Sequence, residues 1–309
     1  VTEAARYWVR KVLALPVLLL VSSLLIFFAV RLLPGDPARL MAGMQANQQT
    51  VEAVRLRLGL GRPLSAQYAM FLRGALHGDL GISTRSHEPV AQEIAQRFPY
   101  TLALTTVSYL FALVVGITAG LMAAVYGGRL LDHAVMIGAI TGASIANYWL
   151  ALMAMDLFAV QLGWVPLLGA ASWKSYILPA ITLGLMPAAV IARMCRAGML
   201  EILQQDYIRT ARAKGLRPAR IYLRHALRNA LVPIVTIAGM NFGVLLGGAV
   251  ITETVYNWPG IGRLLIDAVR YRDYPTIEGI TLLTVAMVTA INLAVDILIG
   301  FLDPRIRFK

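Results

Sequence analysis

Residues 98–128 run for 31 positions without one Asp, Glu, Lys or Arg. A helix of about 18 or more apolar residues crosses the roughly 30 Å hydrocarbon core of a bilayer. This stretch alone therefore removes the chain from ordinary water-soluble folds. Five other stretches are also long and apolar, and the expected spans are 12–30, 101–126, 134–155 with an extension toward Val160 left open, 175–192, 233–252 and 277–302, the last with Glu278 and Asp296 near its ends. Inside lipid no water satisfies backbone amides and carbonyls, so spanning segments with no closed barrel must be helical. The expected fold class is all-α, a polytopic membrane protein with six transmembrane helices. Residues 157–173 are also uncharged, but Gly163, Pro166 and Gly169 break helices and Trp164 suits an interface. This stretch is expected to be a loop.

Composition agrees. The chain is 58% hydrophobic and 14% charged, with mean hydropathy +0.68, whereas soluble domains are nearer 45–50% apolar and about 25% charged. An ordinary soluble enzyme, a disordered chain and a secreted disulfide scaffold are excluded. Cys195 is the one cysteine, so no internal disulfide can form, and His77, His87, His133 and His225 are scattered. No metal is expected to be held by this chain alone, because a site needs clustered ligands. The first apolar run follows Arg6, Arg10 and Lys11 like a signal sequence, but no small-x-small cleavage site follows it. It reads as an uncleaved anchor.

The net charge of +12 first suggests nucleic acid, yet its distribution is that of an orientation signal. Nine Lys/Arg against two acids lie in residues 193–232. Basic residues in short loops mark the cytoplasmic side. With six spans this puts both termini in the cytoplasm, with 16 Lys/Arg against five acids inside and 11 against eight outside. The expected organisation is a cytoplasmic N-terminus with the first helix (1–33), an extracytoplasmic segment (34–98), and a core (99–309) with helices two to six and the cytoplasmic loop 193–232. The lipid bilayer is a partner; nucleic acid is not.

Within that loop the spacing predicts a helix over 199–214, with an apolar stripe of Leu200, Leu203, Tyr207 and Ala211. Gly215 suits a left-handed cap, and Pro218 the first turn of a new helix. Arg217, Arg220, Arg224 and Arg228 then form one basic edge. Anionic headgroups alone would account for such an amphipathic pattern. Beyond it, Tyr207-Ile208-Arg209-Thr210-Ala211-Arg212-Ala213-Lys214-Gly215, followed by Arg224-His225-Ala226-Leu227-Arg228-Asn229-Ala230 and Pro233, resembles the "EAA" loop of permeases in binding-protein-dependent ABC importers. The general pattern is E-A-A-x-x-x-G. Here Arg209 and Thr210 replace its first two positions, a form that resembles the peptide, glutathione and nickel branch.

Other pieces resemble the same family in order: Leu33-Pro34-Gly35-Asp36-Pro37, Leu58-Gly59-Leu60 with Arg62-Pro63-Leu64, Gly78-Asp79-Leu80-Gly81-Ile82-Ser83, Glu253-Thr254-Val255-Tyr256-Asn257-Trp258-Pro259-Gly260-Ile261-Gly262-Arg263, Arg272-Asp273-Tyr274-Pro275, and Asp303-Pro304-Arg305-Ile306-Arg307. The resemblance implies a type I ABC importer permease that moves dipeptides, oligopeptides or glutathione by alternating access, with nickel as the alternative cargo. It implies ATPase coupling through Asp206, Tyr207, Arg209, Thr210, Ala211, Ala213, Lys214 and Gly215. Implied partners are a second homologous permease, two cytoplasmic ATPase subunits and a periplasmic binding protein. ATP and magnesium belong to the ATPase subunits, and this chain, with no Gly-x-x-x-x-Gly-Lys-Ser/Thr loop, needs no cofactor of its own and is not an enzyme.

The external turns Pro34, Gly35, Asp36 and Pro37, and Glu253, Trp258, Pro259, Gly260 and Gly262, are candidates for binding-protein docking or an outer gate; a cap packed on the bundle is the plainer reading. Gly239, Gly243 and Gly247 lie four apart, as do Gly116/Gly120 and Gly138/Gly142. Such spacing lets helices approach closely. Internal packing is expected for spans two and three, and a subunit interface or pathway for span five, with Asn147 and Asn241 as pathway candidates. Asp156 and Asp296 are expected at the interfaces. A secondary transporter would show repeats and midplane ion sites, and an intramembrane enzyme a nucleophile–base pair or metal ligands; the sequence offers neither. Protease added to inside-out membrane vesicles is expected to cut within residues 193–232; cleavage there only from the external face overturns the orientation.

Overall fold

A computed structural model describes residues 3–32, 36–43, 45–57 and 59–302. Among these no strand forms; a lone antiparallel bridge joins Ile82 and Pro89. The helices are α1 (Glu3–Arg31), α2 (Pro37–Ala42), α3 (Gln48–Arg57), α4 (Leu64–Leu76), α5 (Val90–Val125), α6 (Leu130–Ser144), α7 (Asn147–Ala154), α8 (Ile177–Leu203), α9 (Asp206–Ala213), α10 (Pro218–Arg220), α11 (Leu227–Val255), α12 (Ile261–Tyr271) and α13 (Tyr274–Leu302). Among the described residues four helices are long and apolar enough to cross a membrane, and a bent pair raises this to five. The described apolar part of α1, Leu15–Arg31, is shorter. Large apolar side chains face outward along these helices, among them Val114, Ile137 and Val244, as a lipid-facing surface requires.

The third expected span differs from its sequence reading. α6 and α7 meet at a bend of 102°, where Ile145 and Ala146 take extended backbone. The continuation past α7, Met155–Gln161, is a π-helical turn, so the expected loop begins after Gln161. There Asp156 accepts a 2.7 Å hydrogen bond from the Gln161 amide.

The described residues divide into two compact units, one made of those up to Thr101 with Pro259–Ala290, the other of Leu102–Trp258 with residues 291–302. In the first, Phe27 of α1 is fully buried and meets Tyr68 of α4 edge-on at 5.3 Å. Arg31 closes α1 with a 2.6 Å ion pair to Glu278. Two sequence motifs clasp each other here. Arg272 ends α12 in a left-handed conformation. Asp273, buried, then accepts from the Ser83 hydroxyl at 2.5 Å, the Thr84 amide at 3.0 Å and the Thr276 hydroxyl at 2.8 Å. One carboxylate therefore ties the first turn of α13 to the loop before α5. Asp36 likewise caps α2 by accepting from the Ala38 amide, and pairs with Arg55 at 2.5 Å.

In the second unit α5 and α8 touch through backbone at three levels. A Cβ added at Gly184 would lie 2.5 Å from the Ser108 carbonyl oxygen, at Gly116 2.7 Å from that of Ala188, and at Gly120 2.5 Å from that of Ala192. These glycines permit a contact that any side chain would forbid, which is internal packing for Gly116 and Gly120. Gly142 lies in ordinary contact with Leu185, while Gly138 meets nothing within 4 Å. Overpacking costs about 1–3 kcal/mol. Gly120→Ala is therefore expected to lower the thermal midpoint of the purified protein measurably, and Gly138→Ala, inside a helix with open space at its Cβ position, to keep or raise it; equal midpoints for both refute the close contact.

Candidate functional site

The strongest cluster of matched residues surrounds α9. The sequence predicts one helix over 199–214, but α8 runs to Leu203, Gln204 and Gln205 interrupt it, and α9 starts afresh at Asp206. The restart turns the buried face so that Ile208 takes the place expected of Tyr207, while Ala211 stays inside as expected. Ile208 is fully buried and Ala211 nearly so, while Tyr207, expected inside, is 44% exposed. Ile208 and Ala211 pack with Cys195 and Met199 of α8, with Ile221 and Ala226, and with Ala230 and Ile234 of α11. The Tyr207 phenol instead accepts a 2.9 Å hydrogen bond from the Asn229 amide. Asp206, Arg209, Thr210, Ala213 and Lys214 face outward, and Asp206 pairs only loosely with Arg209 at 3.5 Å.

The end of α9 is built as the sequence predicts. Gly215 has φ +74°. Its amide donates to the Arg212 carbonyl at 3.0 Å, and the Leu216 amide reaches back to the Ala211 carbonyl at 3.3 Å. This is a Schellman closure, and Leu216 tucks against the same apolar cluster. Pro218 opens the next helix at its first turn. That helix passes through a π-helical segment, Ile221–Ala226, and continues without a break into α11.

The sequence reading missed a second element of the site. Asp132, in the first turn of α6, is buried and receives two bonds from Arg196 of α8, at 2.5 and 2.7 Å. It also accepts from the Gly128 amide at 2.9 Å. The pair grips α8 seven residues before its end at Leu203, about 10 Å along the axis. Its partners are 64 residues apart, so no local pattern signals it.

The other matched residues are spread out. Glu253 and Trp258 are fully buried, so neither side chain offers a docking surface in this chain, and Gly260 and Gly262 are buried too. The Trp258 ring packs edge-on against Tyr176 at 4.6 Å, and its amide donates to the Glu253 carbonyl at 2.8 Å. Nearby, the Tyr256 phenol shares a 2.9 Å bond with Thr182. This motif braces the end of α11; Pro259 is half-buried. Pro34, Gly35, Leu58 and the 303–307 motif lie outside the described residues. Asp36 and Pro37 form the start of α2. Asn147 is the first residue of α7, just past the bend, and Asn241 is half-buried in α11.

The three glycines of α11 differ. A Cβ at Gly239 would collide with Val295 of α13, Gly243 is buried, and Gly247 is open, with nothing near its Cβ position. Gly239 therefore serves packing within the chain, against the interface expected for it. Asp296, like Asn241, is half-buried.

Residues 116–308 match the model of the family described as binding-protein-dependent transport system inner membrane component, and residues 4–105 match that of its N-terminal membrane part. The chain belongs to this family. It is the permease subunit of an ABC importer, a multi-pass protein of the inner membrane. The permease is 47% identical over 303 residues to the glutathione transport system permease protein GsiC of an Escherichia coli strain, covering 98% of this chain and 99% of that one. It is 46% identical over the same length to GsiC of Shigella flexneri. Its fold is similar to that of an inward-facing MetNI methionine ABC transporter, with TM-score 0.58, 24% identity and coverage of 69% of this chain and 97% of that one. An amino acid ABC transporter gives TM-score 0.51 at 18% identity, covering 69% and 94%.

Removing one partner of a buried ion pair costs about 3–5 kcal/mol. Because Arg196 is partly exposed, Asp132→Asn is expected to cost the permease about 2–3 kcal/mol, read as a lower thermal midpoint. An unchanged midpoint would show that the pair contributes little.

Proposed function

We propose that this permease carries glutathione or short peptides inward, driven by two separate ATPase subunits that grip α9, beside a second homologous permease and under a periplasmic binding protein. The observation carrying the cargo is near full-length identity of 47% to GsiC. The arrangement of α9 supports the coupling. One face, Ile208 and Ala211, is locked into the base of α8 and α11, and the other presents Asp206, Arg209, Thr210, Ala213 and Lys214. A partner that draws the exposed face moves the buried face, because close-packed contacts transmit displacement rather than absorb it.

In this scheme ATP binding closes the ATPase pair and pulls α9. The pull passes through the apolar cluster and the Tyr207–Asn229 bond into α11, whose 29 residues extend about 43 Å. At its far end the buried turn Glu253–Trp258 acts as the outer gate, and Asp36 and Pro37 belong to the external cap. Asn147 and Asn241 are proposed to border the pathway, and the open Gly247 the second permease. Hydrolysis resets the cycle. ATP and magnesium are held by the ATPase subunits.

Reconstitution of the permease with its partners tests the reading. Uptake of labelled glutathione or dipeptide is expected; uptake of Ni²⁺ with neither peptide overturns the cargo assignment. Gly215→Val places a β-branched residue in the left-handed region, which costs over 1 kcal/mol. It is expected to lower substrate-stimulated ATPase activity about tenfold or more while the protein still inserts, and Gly215→Asn, which tolerates that region, to retain most activity. Full stimulation in Gly215→Val would remove Gly215 from the coupling element.

A further inference from the structure

The arginines at the foot of α11 are not used by the coupling scheme. Arg220, Arg224 and Arg228 are all exposed, and none has a carboxylate partner among the described residues. The opposite side of the same stretch, Ile221, Ala226 and Ala230, is buried beneath Ile208 of α9. The π-helical segment keeps the row straight. Where hydrogen bonds close i→i+5, a turn takes a little over four residues, so Arg220 and Arg224 return to nearly the same line.

Their level along the helix decides what they meet. After Arg228 no charged residue occurs until Glu253. Those 24 residues span about 36 Å of helix, against a hydrocarbon core of roughly 30 Å. Arg228 therefore lies at the edge of the hydrocarbon, Arg224 about 5 Å beyond it and Arg220 about 10 Å beyond it, because the wider π-helical turns rise less per residue. A headgroup layer is some 5–8 Å thick on each side, and an arginine side chain reaches several ångströms further. Leu223, beside them, is 56% exposed, which suits an interfacial setting better than an aqueous one.

We infer that Arg220, Arg224 and Arg228 form a binding site for the phosphates of anionic phospholipids in the adjoining leaflet. Guanidinium groups bind phosphate oxygens in paired fashion, and a basic row at headgroup height gathers anionic lipid. The site has a mechanical consequence. α9 packs on the reverse side of these residues, so lipids that hold the foot of α11 also hold the height of α9. Anionic lipid should therefore raise coupled ATPase activity.

The test uses the assembled transporter in nanodiscs of phosphatidylcholine with increasing phosphatidylglycerol. Native mass spectrometry is expected to find phosphatidylglycerol retained in preference to phosphatidylcholine. Loss of each arginine should weaken that retention about fivefold, so Arg224→Gln with Arg228→Gln should nearly abolish it, while Lys at both positions, which keeps the charge and loses the paired geometry, retains an intermediate share. Arg209→Gln, on α9, should not change it. No preference in the unaltered protein, or equal retention in the double Gln variant, overturns the proposal. So does loss of the ATPase subunits by that variant in pure phosphatidylcholine, since the row would then be a protein surface. The lipid readout needs no transported cargo, so a wrong substrate assignment leaves it intact.

Discussion

Backbone polar groups that leave a helix within or beside a bilayer must find partners inside the protein, since lipid supplies none. Several irregular points among the described residues show how that demand is met. Asp273 takes bonds from Ser83, Thr84 and Thr276 between α12 and α13. Asp132 holds the Gly128 amide and Arg196 at the start of α6. The Schellman turn at Gly215 recovers the last carbonyls of α9. The Gly169 amide donates to the Tyr256 carbonyl beyond α11. Short motifs such as Arg272-Asp273-Tyr274-Pro275 are the means by which long apolar helices can stop and turn.

The same demand explains how force can leave the base of the molecule. α9 has eight residues and would not persist alone in water. It is ordered because Ile208 and Ala211 are set into a cluster drawn from α8, α11 and the π-helical segment. An element with so little stability of its own has its position dictated by what it packs against. That suits it to the coupling role proposed for it.

The long elements were legible in the sequence because uncharged apolar length is a physical requirement of spanning. The bend between Ser144 and Asn147 was not, since Ile145 and Ala146 are neither Gly nor Pro. The break at Gln204–Gln205 was hidden for the same reason. Periodicity carried across it put Tyr207 inside, where Ile208 belongs. Gly215 was readable because a left-handed cap selects residue type. Asp132–Arg196 was not, because nothing local marks partners from different helices. Gly239 and Gly247 have the same spacing signal and opposite surroundings, so spacing announces a smooth face without naming what lies on it.

The burial of Trp258 bears on how defects in this protein should be interpreted. A side chain with no solvent exposure, wedged against Tyr176 and the end of α11, cannot be altered without disturbing its neighbours. A change at this position that abolishes uptake would mimic loss of a contact with an external partner in any genetic screen. The lesion would lie in the foundation, and it would be recognised by diminished protein abundance in the membrane rather than by a weakened encounter.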